Sequence, residues 1–252
     1  MRIVDGWKGL VDFEVDISVI RLIENALIVD FKRLSRAYST PLSLSDDDTI
    51  AWVALMRHYG APTRFLDFTY SLFIAAYFAA EAERGQPVVW AVNKSWLGKQ
   101  CMHVVSAAYS KHDADKLLEA WGNREGWVFD KLFLTPKPPV RCVWPVSPFA
   151  FNDRLAAQQG LFLCANDVAV PFHETLEALP DSRDNVLAIQ TKDNTARCEV
   201  LRKLYRTRTS RETLLPGFQG FAESLRLRIP VILRLEEIRK GGARLGPNVT
   251  GV

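Results

Sequence analysis

Apolar residues recur at spacings of three and four from Ile20 through Ile23, Leu27, Phe31 and Leu34 to Tyr38. That period predicts a long amphipathic helix over 17–38, with Asp16 as its cap and this stripe as its buried face. A second helix is predicted from about Ser45. Its Ser45…Asp48 spacing resembles a capping box, and the Asp46-Asp47-Asp48 run complements the positive end of a helix dipole. The acidic triplet also imitates a metal-binding cluster, but capping explains it with fewer assumptions. A third helix over 71–84 has an alanine-rich face, Ala75, Ala76, Ala79 and Ala80, suited to close approach, and Gly85 ends it. Then the period changes. Residues 87–92 read as a buried strand, and further strands are predicted over 140–146, 160–165, 185–191 and 230–235. Helices are predicted near 113–121, 195–206 and 210–226, while the rest of 94–140 shows no clear period.

No repeat, linker or break in composition divides the chain, so a single α+β domain over residues 1–252 is expected, with helices leading and a mixed, mostly antiparallel sheet following. The 252 residues are 48% hydrophobic and 24% charged, a globular composition that excludes disorder and low complexity. A net charge of +3 allows an anionic ligand without demanding a nucleic acid. The N-terminus carries no apolar h-region, and the longest apolar runs are too short to span a bilayer, so neither a secretory signal nor a membrane segment is expected. Cysteines 101, 142, 164 and 198 form no Cys-x-x-Cys pair. They read as reduced, mostly core thiols of a cytoplasmic protein.

Against this plain background one stretch stands out. Arg57-His58-Tyr59-Gly60-Ala61-Pro62-Thr63-Arg64-Phe65-Leu66-Asp67-Phe68-Thr69 lies between two helical patterns. Gly60 serves as a helix C′ residue and Pro62 prevents continuation. Turn chemistry accounts for no more than that. His58, Tyr59, Thr63, Arg64, Asp67 and Thr69 therefore suggest a binding site, or a buried polar network that positions one. In the second reading Arg64 and Asp67, three apart, form a buried pair that pins the turn, His58 complements the helix dipole, and Tyr59 is core. A second polar stretch, Asn152 to Phe162, leads from an Asx-type turn into a strand, with Gln158 and Gln159 at the strand entrance beside Gly160. Amides there either meet a ligand that the bare glycine backbone lets approach or cap the strand edge.

Familiar catalytic signatures are missing: no phosphate loop, no Gly-x-Gly-x-x-Gly after a strand, no Gly-x-Ser-x-Gly elbow. His173-Glu174 begins like a zinc helix, but position 177 is Glu, and the scattered His and Cys residues offer no zinc spacing, so no metal is expected. The basic cluster Arg202, Lys203, Arg206, Arg208 and Arg211 reads as a solvated face or, as the weakest functional reading, a nucleic-acid contact.

The segment from His58 to Thr69, followed by the alanine-rich helix, resembles the hallmark of the FRG-domain family, His-Tyr-Gly-x-Pro-Thr-Arg-Leu-Leu-Asp-Trp-Thr. Three further segments resemble that family in order: Ile23 to Leu27 with Asp30 to Arg33, Asn152 to Phe162, and Leu214 to Ala222, the last like a Leu-Phe-Pro-x-Leu-x-Gly motif. Together they cover roughly residues 20 to 226. The departures are Phe65 and Phe68 for Leu and Trp, Arg57 where glutamine is common, and no Phe-Arg-Gly tripeptide before the first helix, where Trp7-Lys8-Gly9 stands instead. The resemblance implies an ADP-ribosyltransferase-like split β core and NAD as substrate. Carried over, His58, Tyr59, Thr63, Arg64, Asp67 and Thr69 would bind NAD, and Gln158 or Gln159 would take the catalytic late-strand position. A non-catalytic ligand- or protein-binding module is the rival, with a nucleotide as the possible ligand, because the family's NAD-holding arginine has no counterpart here and glutamine carries no compensating charge for an oxocarbenium-like transition state.

Overall fold

The computed structural model describes residues 17–38, 44–82, 86–121, 125–134, 140–147, 153–168 and 170–225. In chain order the elements begin with α1 (Ile17–Ser35), α2 (Thr49–His58), β1 (Phe65–Thr69), α3 (Leu72–Glu81) and β2 (Val88–Val92). Next come α4 (Lys94–Ala108), α5 (Lys111–Ala120), α6 (Glu125–Phe129), a π-helical turn (Asp130–Leu134) and β3 (Val143–Val146). The rest are α7 (Asp153–Ala157), β4 (Gly160–Ala165), α8 (Phe172–Glu177), α9 (Ser182–Asn185), β5 (Val186–Gln190), α10 (Asn194–Arg206), α11 (Arg211–Leu214) and α12 (Phe218–Ser224). The fold is α+β. All strand pairings among the described residues are antiparallel, in a three-stranded sheet ordered β1-β4-β3 and a two-stranded sheet of β2 and β5.

The residues gather into two compact units. One comprises 1–70, 88–151 and 160–190; the other comprises 71–87, 152–159 and 191–252. In the first unit β4 is the central strand and every one of its positions is buried, so Gly160-Leu161-Phe162-Leu163-Cys164-Ala165 is an unbroken small-and-apolar run. Phe65 of β1 stacks on Phe162 with ring centroids 4.9 Å apart and meets Phe129 edge-on at 5.7 Å. Phe129 stacks in turn on Phe133 at 4.7 Å, and Phe133 meets Trp144 of β3 at 6.3 Å. This aromatic chain runs through the core, and offset or edge-on contacts of this kind add to what the buried area contributes. Beside it, Cys101 of α4 and Cys142 are buried with sulfurs 3.3 Å apart, and burial pushes the Cys101 thiol up.

The second unit packs α3 on α10. Ile74, Tyr77, Leu204 and Leu214 form its buried cluster, with Ala76, Phe78, Val200 and Leu201 against them. Ser71 caps α3 by accepting from the Ile74 N–H at 3.4 Å, and the Arg197 Nε donates to the Ala80 carbonyl at its other end, 2.6 Å away. Arg211 bridges Glu81 at 2.6 Å and also Glu223, and Tyr77 donates its hydroxyl proton to Glu81 at 2.8 Å.

Several expectations need correction. The cap of α2 is Asp48, which accepts from the Ala51 N–H at 3.1 Å; Ser45 lies a turn earlier and accepts from Asp47 instead. The helix predicted over 210–226 is two short helices. Pro216 lacks the N–H that a continuous helix needs, and Gly217 turns the chain at φ 111°. Residues 94–108 form a regular helix that the apolar pattern did not reveal, because only Trp96, Leu97, Cys101 and Val105 face inward. Asp16, Gly85, Trp7-Lys8-Gly9, Asn152 and the strand expected over 230–235 lie outside the described residues.

The buried stripe of α1 is also rotated from the expected one. It runs through Ile20, Arg21, Glu24 and Ile28, while Leu34 and Tyr38 are exposed and Ile23, Leu27 and Phe31 are half-buried. Two charged residues thus occupy the face that an apolar pattern assigns to solvent.

Gly220 explains the glycine of the Leu214 to Ala222 motif. A Cβ there would lie 1.8 Å from the Leu215 carbonyl oxygen, a backbone atom with little room to retreat. Gly220→Ala is therefore expected to destabilise the second unit by about 1–3 kcal/mol, read as a lower urea midpoint.

Candidate functional site

The site is built from the end of α2 outward. Apolar residues carry α2 into the core, and Tyr59 closes it with its N–H on the Leu55 carbonyl. Gly60 then takes φ 81°, a left-handed turn open to glycine at little steric cost. Pro62 keeps the chain extended, and β1 begins at Phe65.

From that point the register decides which side chains meet. Phe65 lies opposite Cys164, Asp67 opposite Phe162 and Thr69 opposite Gly160. The two stretches singled out in the sequence, about ninety positions apart, are therefore adjacent in one ladder. Asp67 and Thr69 share the face of Phe65, and Asp67 is 55% exposed where Phe65 is fully buried.

Arg64 and Asp67 do not pair. Side chains three apart point to opposite faces of an extended chain, so the pairing that a helix would allow is closed here. Arg64 turns inward to Glu24 of α1. Its Nε donates to Glu24 Oε1 at 2.7 Å and one Nη2 hydrogen goes to Glu24 Oε2. Its Nη1 donates to the carbonyls of Ala165 and Asn166, each at 3.2 Å, and Nη2 also reaches the Phe133 carbonyl at 3.5 Å. All five guanidinium hydrogens thus have acceptors. The two side chains are 1% and 4% exposed, and the Arg64 carbon sits 5.5 Å from the Phe133 ring centre. Burial opposes the Arg64 charge, but attraction and hydrogen bonding to Glu24 hold its pKa above the ordinary arginine range. Arg21 nearby is pulled down by its own burial and by repulsion from Arg64. Arg64 has no donor left for a ligand; it braces the frame.

Asp67 turns the other way, to Arg57 of α2. The Arg57 Nε and Nη2 both reach Asp67 Oδ2, at 2.9 and 2.5 Å. Thr63 is buried, and its Oγ1 has no hydrogen-bond partner among the described residues. His58 ends α2 with its ring edge-on to Tyr59, centroids 4.9 Å apart. Tyr59 is not core: it is 60% exposed.

Tyr59, Ala61 and Pro62 form one wall of a groove of about 600 Å³. Leu27, Phe31 and Leu34 of α1 and Tyr38 in the turn after it, together with Leu55 and Met56 of α2, complete its apolar lining, and Asp30 stands in the wall as well. The exposed half of the α1 stripe thus has a place: it lines a hollow rather than a core.

Gln158 and Gln159 belong to the other unit, where they form the turn between α7 and β4 rather than part of a strand. Side chains alternate only within strands, so the two glutamines are not related by opposite strand faces. The Gln158 Nε2 donates to the Leu214 carbonyl at 3.0 Å. Gln159 is exposed at φ 47°, the left-handed conformation of a helix C′ residue. In the basic cluster, Arg211 faces Glu81 and Glu223, and Lys203 pairs with Glu199 one helical turn away at 2.9 Å.

Sequence reasoning passed over Glu24 and Arg57. Glu24 carried a signal, a charge inside a segment otherwise like a core helix, and Arg57 was visible only as a departure from a common glutamine. Glu24→Gln leaves the buried guanidinium without its counter-charge. It is expected to cost about 3–5 kcal/mol in urea denaturation. Gln159→Gly relieves a left-handed non-glycine residue and is expected to raise stability by about 0.5–1 kcal/mol in the same assay.

No curated protein and no solved structure matches this chain. The family description that does match is the FRG domain, over residues 12–87. That span holds the whole groove lining, both arginine pairs and β1, so the match to the FRG domain takes in Glu24, Arg57, Arg64 and Asp67.

Proposed function

We propose that this protein is a ligand-binding module whose FRG segment seats the planar ring of a small molecule in the groove between α1 and α2, with the nicotinamide end of NAD as the first ligand to test. The groove itself carries this reading. Its volume of about 600 Å³ falls within the range of small-molecule sites, and its walls are mostly apolar. One of those walls is Tyr59-Ala61-Pro62 of the signature, and an exposed tyrosine offers a ring face to stack on and a hydroxyl to orient a polar substituent.

Binding is favoured over group transfer by the bonds already made. The Arg64 guanidinium is wholly engaged by protein acceptors, and the Gln158 amide donates to the Leu214 carbonyl. Breaking a glycosidic bond develops positive charge at the anomeric carbon, and a glutamine supplies no negative charge to oppose it. ADP-ribosyl transfer is the second reading, supported by the ladder that sets Thr69 opposite Gly160.

NAD and nicotinamide at millimolar concentration are expected to raise the melting temperature. A ligand present at 100 times its Kd adds about 2.7 kcal/mol. Ala61→Phe fills the groove and is expected to abolish the shift while circular dichroism stays unchanged. The absence of any shift with the unmodified protein would sink the binding reading, and release of nicotinamide from NAD would replace it with transfer.

A further inference from the structure

The two arginines of the 57–69 stretch are used very differently. Arg64 has every hydrogen bonded and its side chain is 1% exposed. Arg57 meets Asp67 with one edge only, Nε and Nη2, and both donors converge on the single oxygen Oδ2. Its Nη1 has no hydrogen-bond partner among the described residues. The side chain is 21% exposed against 55% for Asp67. A guanidinium held along one edge keeps its other edge, Nη1 with Nη2, as a two-pronged donor of fixed direction. Asp67 meanwhile stops the long side chain from roaming. Part of the entropy cost of ordering it on binding is therefore already met.

We infer that Arg57 is an oxyanion-binding residue, and that Asp67 positions its guanidinium so that the open edge receives a phosphate or carboxylate group of a small ligand. The chemistry points this way because the exposed edge offers donors and no acceptor. A cationic ligand is repelled there, and a neutral acceptor gains a weaker hydrogen bond than an anion does. This inference does not depend on the groove. Arg57 is two residues from both Leu55 and Tyr59, and at about 100° per residue it lies on the far side of α2 from them. Failure of ring binding in the groove would therefore leave it untouched, and the reverse also holds.

The test is calorimetric titration of the full chain with inorganic phosphate, pyrophosphate and acetate at fixed ionic strength. Saturable binding is expected, about tenfold weaker or lost in Arg57→Gln, which keeps the residue's length but not its charge. Asp67→Asn keeps an oxygen that can accept from Arg57 but loses the charge that holds it, and is expected to bind more weakly than the unmodified protein but more tightly than Arg57→Gln. Phosphate or pyrophosphate binding tighter than acetate assigns a phosphate ester as the ligand group; the opposite order assigns a carboxylate. The inference is overturned if the unmodified protein binds none of the three, or if Arg57→Gln binds as well as it does. It is also overturned if Asp67→Asn weakens binding as much as Arg57→Gln, for then the pair only holds α2 to β1. Circular dichroism and urea midpoints of both variants confirm that each is folded when titrated.

Discussion

The first unit is organised around one buried guanidinium. Arg64 draws a carboxylate from α1, two carbonyls from the end of β4 and one from the π-helical turn into a single cluster. A charge removed from water costs several kcal/mol unless its partners are well placed, and the cost of leaving it unpaired exceeds the net benefit of pairing it. The arrangement is therefore a constraint more than a source of stability. Displacement of α1, β1 or the end of β4 would strand part of a charged group, so their mutual positions are specified together.

That constraint shapes the rest of α1. With Arg21 and Glu24 turned inward, the helix rotates its distal apolar residues away from the core, and Leu34 and Tyr38 come to line the groove with Tyr59 and Pro62. The polar brace and the apolar hollow are thus two outcomes of one helix orientation. Hydrophobic stabilisation comes from the buried core, through which runs the aromatic chain from Phe65 by way of Phe129 and Phe133 to Trp144. Phe133 takes part in both, with its ring in the core and its carbonyl on Arg64.

Residues 57–69 accordingly divide their labour. Gly60 and Pro62 turn the chain, Arg64 locks it, Phe65 anchors it in the core, Tyr59 walls the groove, and Arg57 with Asp67 form the open pair. In the second unit the equivalent division falls to Leu214 through Gly220, where Leu214 is core, Pro216 and Gly217 break the helix, and Gly220 permits close approach to the Leu215 carbonyl.

Much of the secondary structure was legible in the sequence. The strand over 160–165, the alanine-faced helix over 71–84 and the helix near 195–206 are local signals, and local sterics and hydrogen bonding act through neighbours in the chain. The FRG resemblance was equally legible, because that signature is contiguous. What could not be read was which charges are buried and with whom. Whether Arg64 meets Asp67, three positions away, or Glu24, forty positions away, depends on β1 being extended and on α1 lying against it. Apolar periodicity assigns charges to solvent by default, so it turned α1 to the wrong face and gave the groove-lining residues to the core. The chain alone determined the elements and the stretch that matters. Packing alone decided the pairing of its charges, because the energy of an ion pair depends on distance in space and on the water excluded around it, and neither is a property of sequence order.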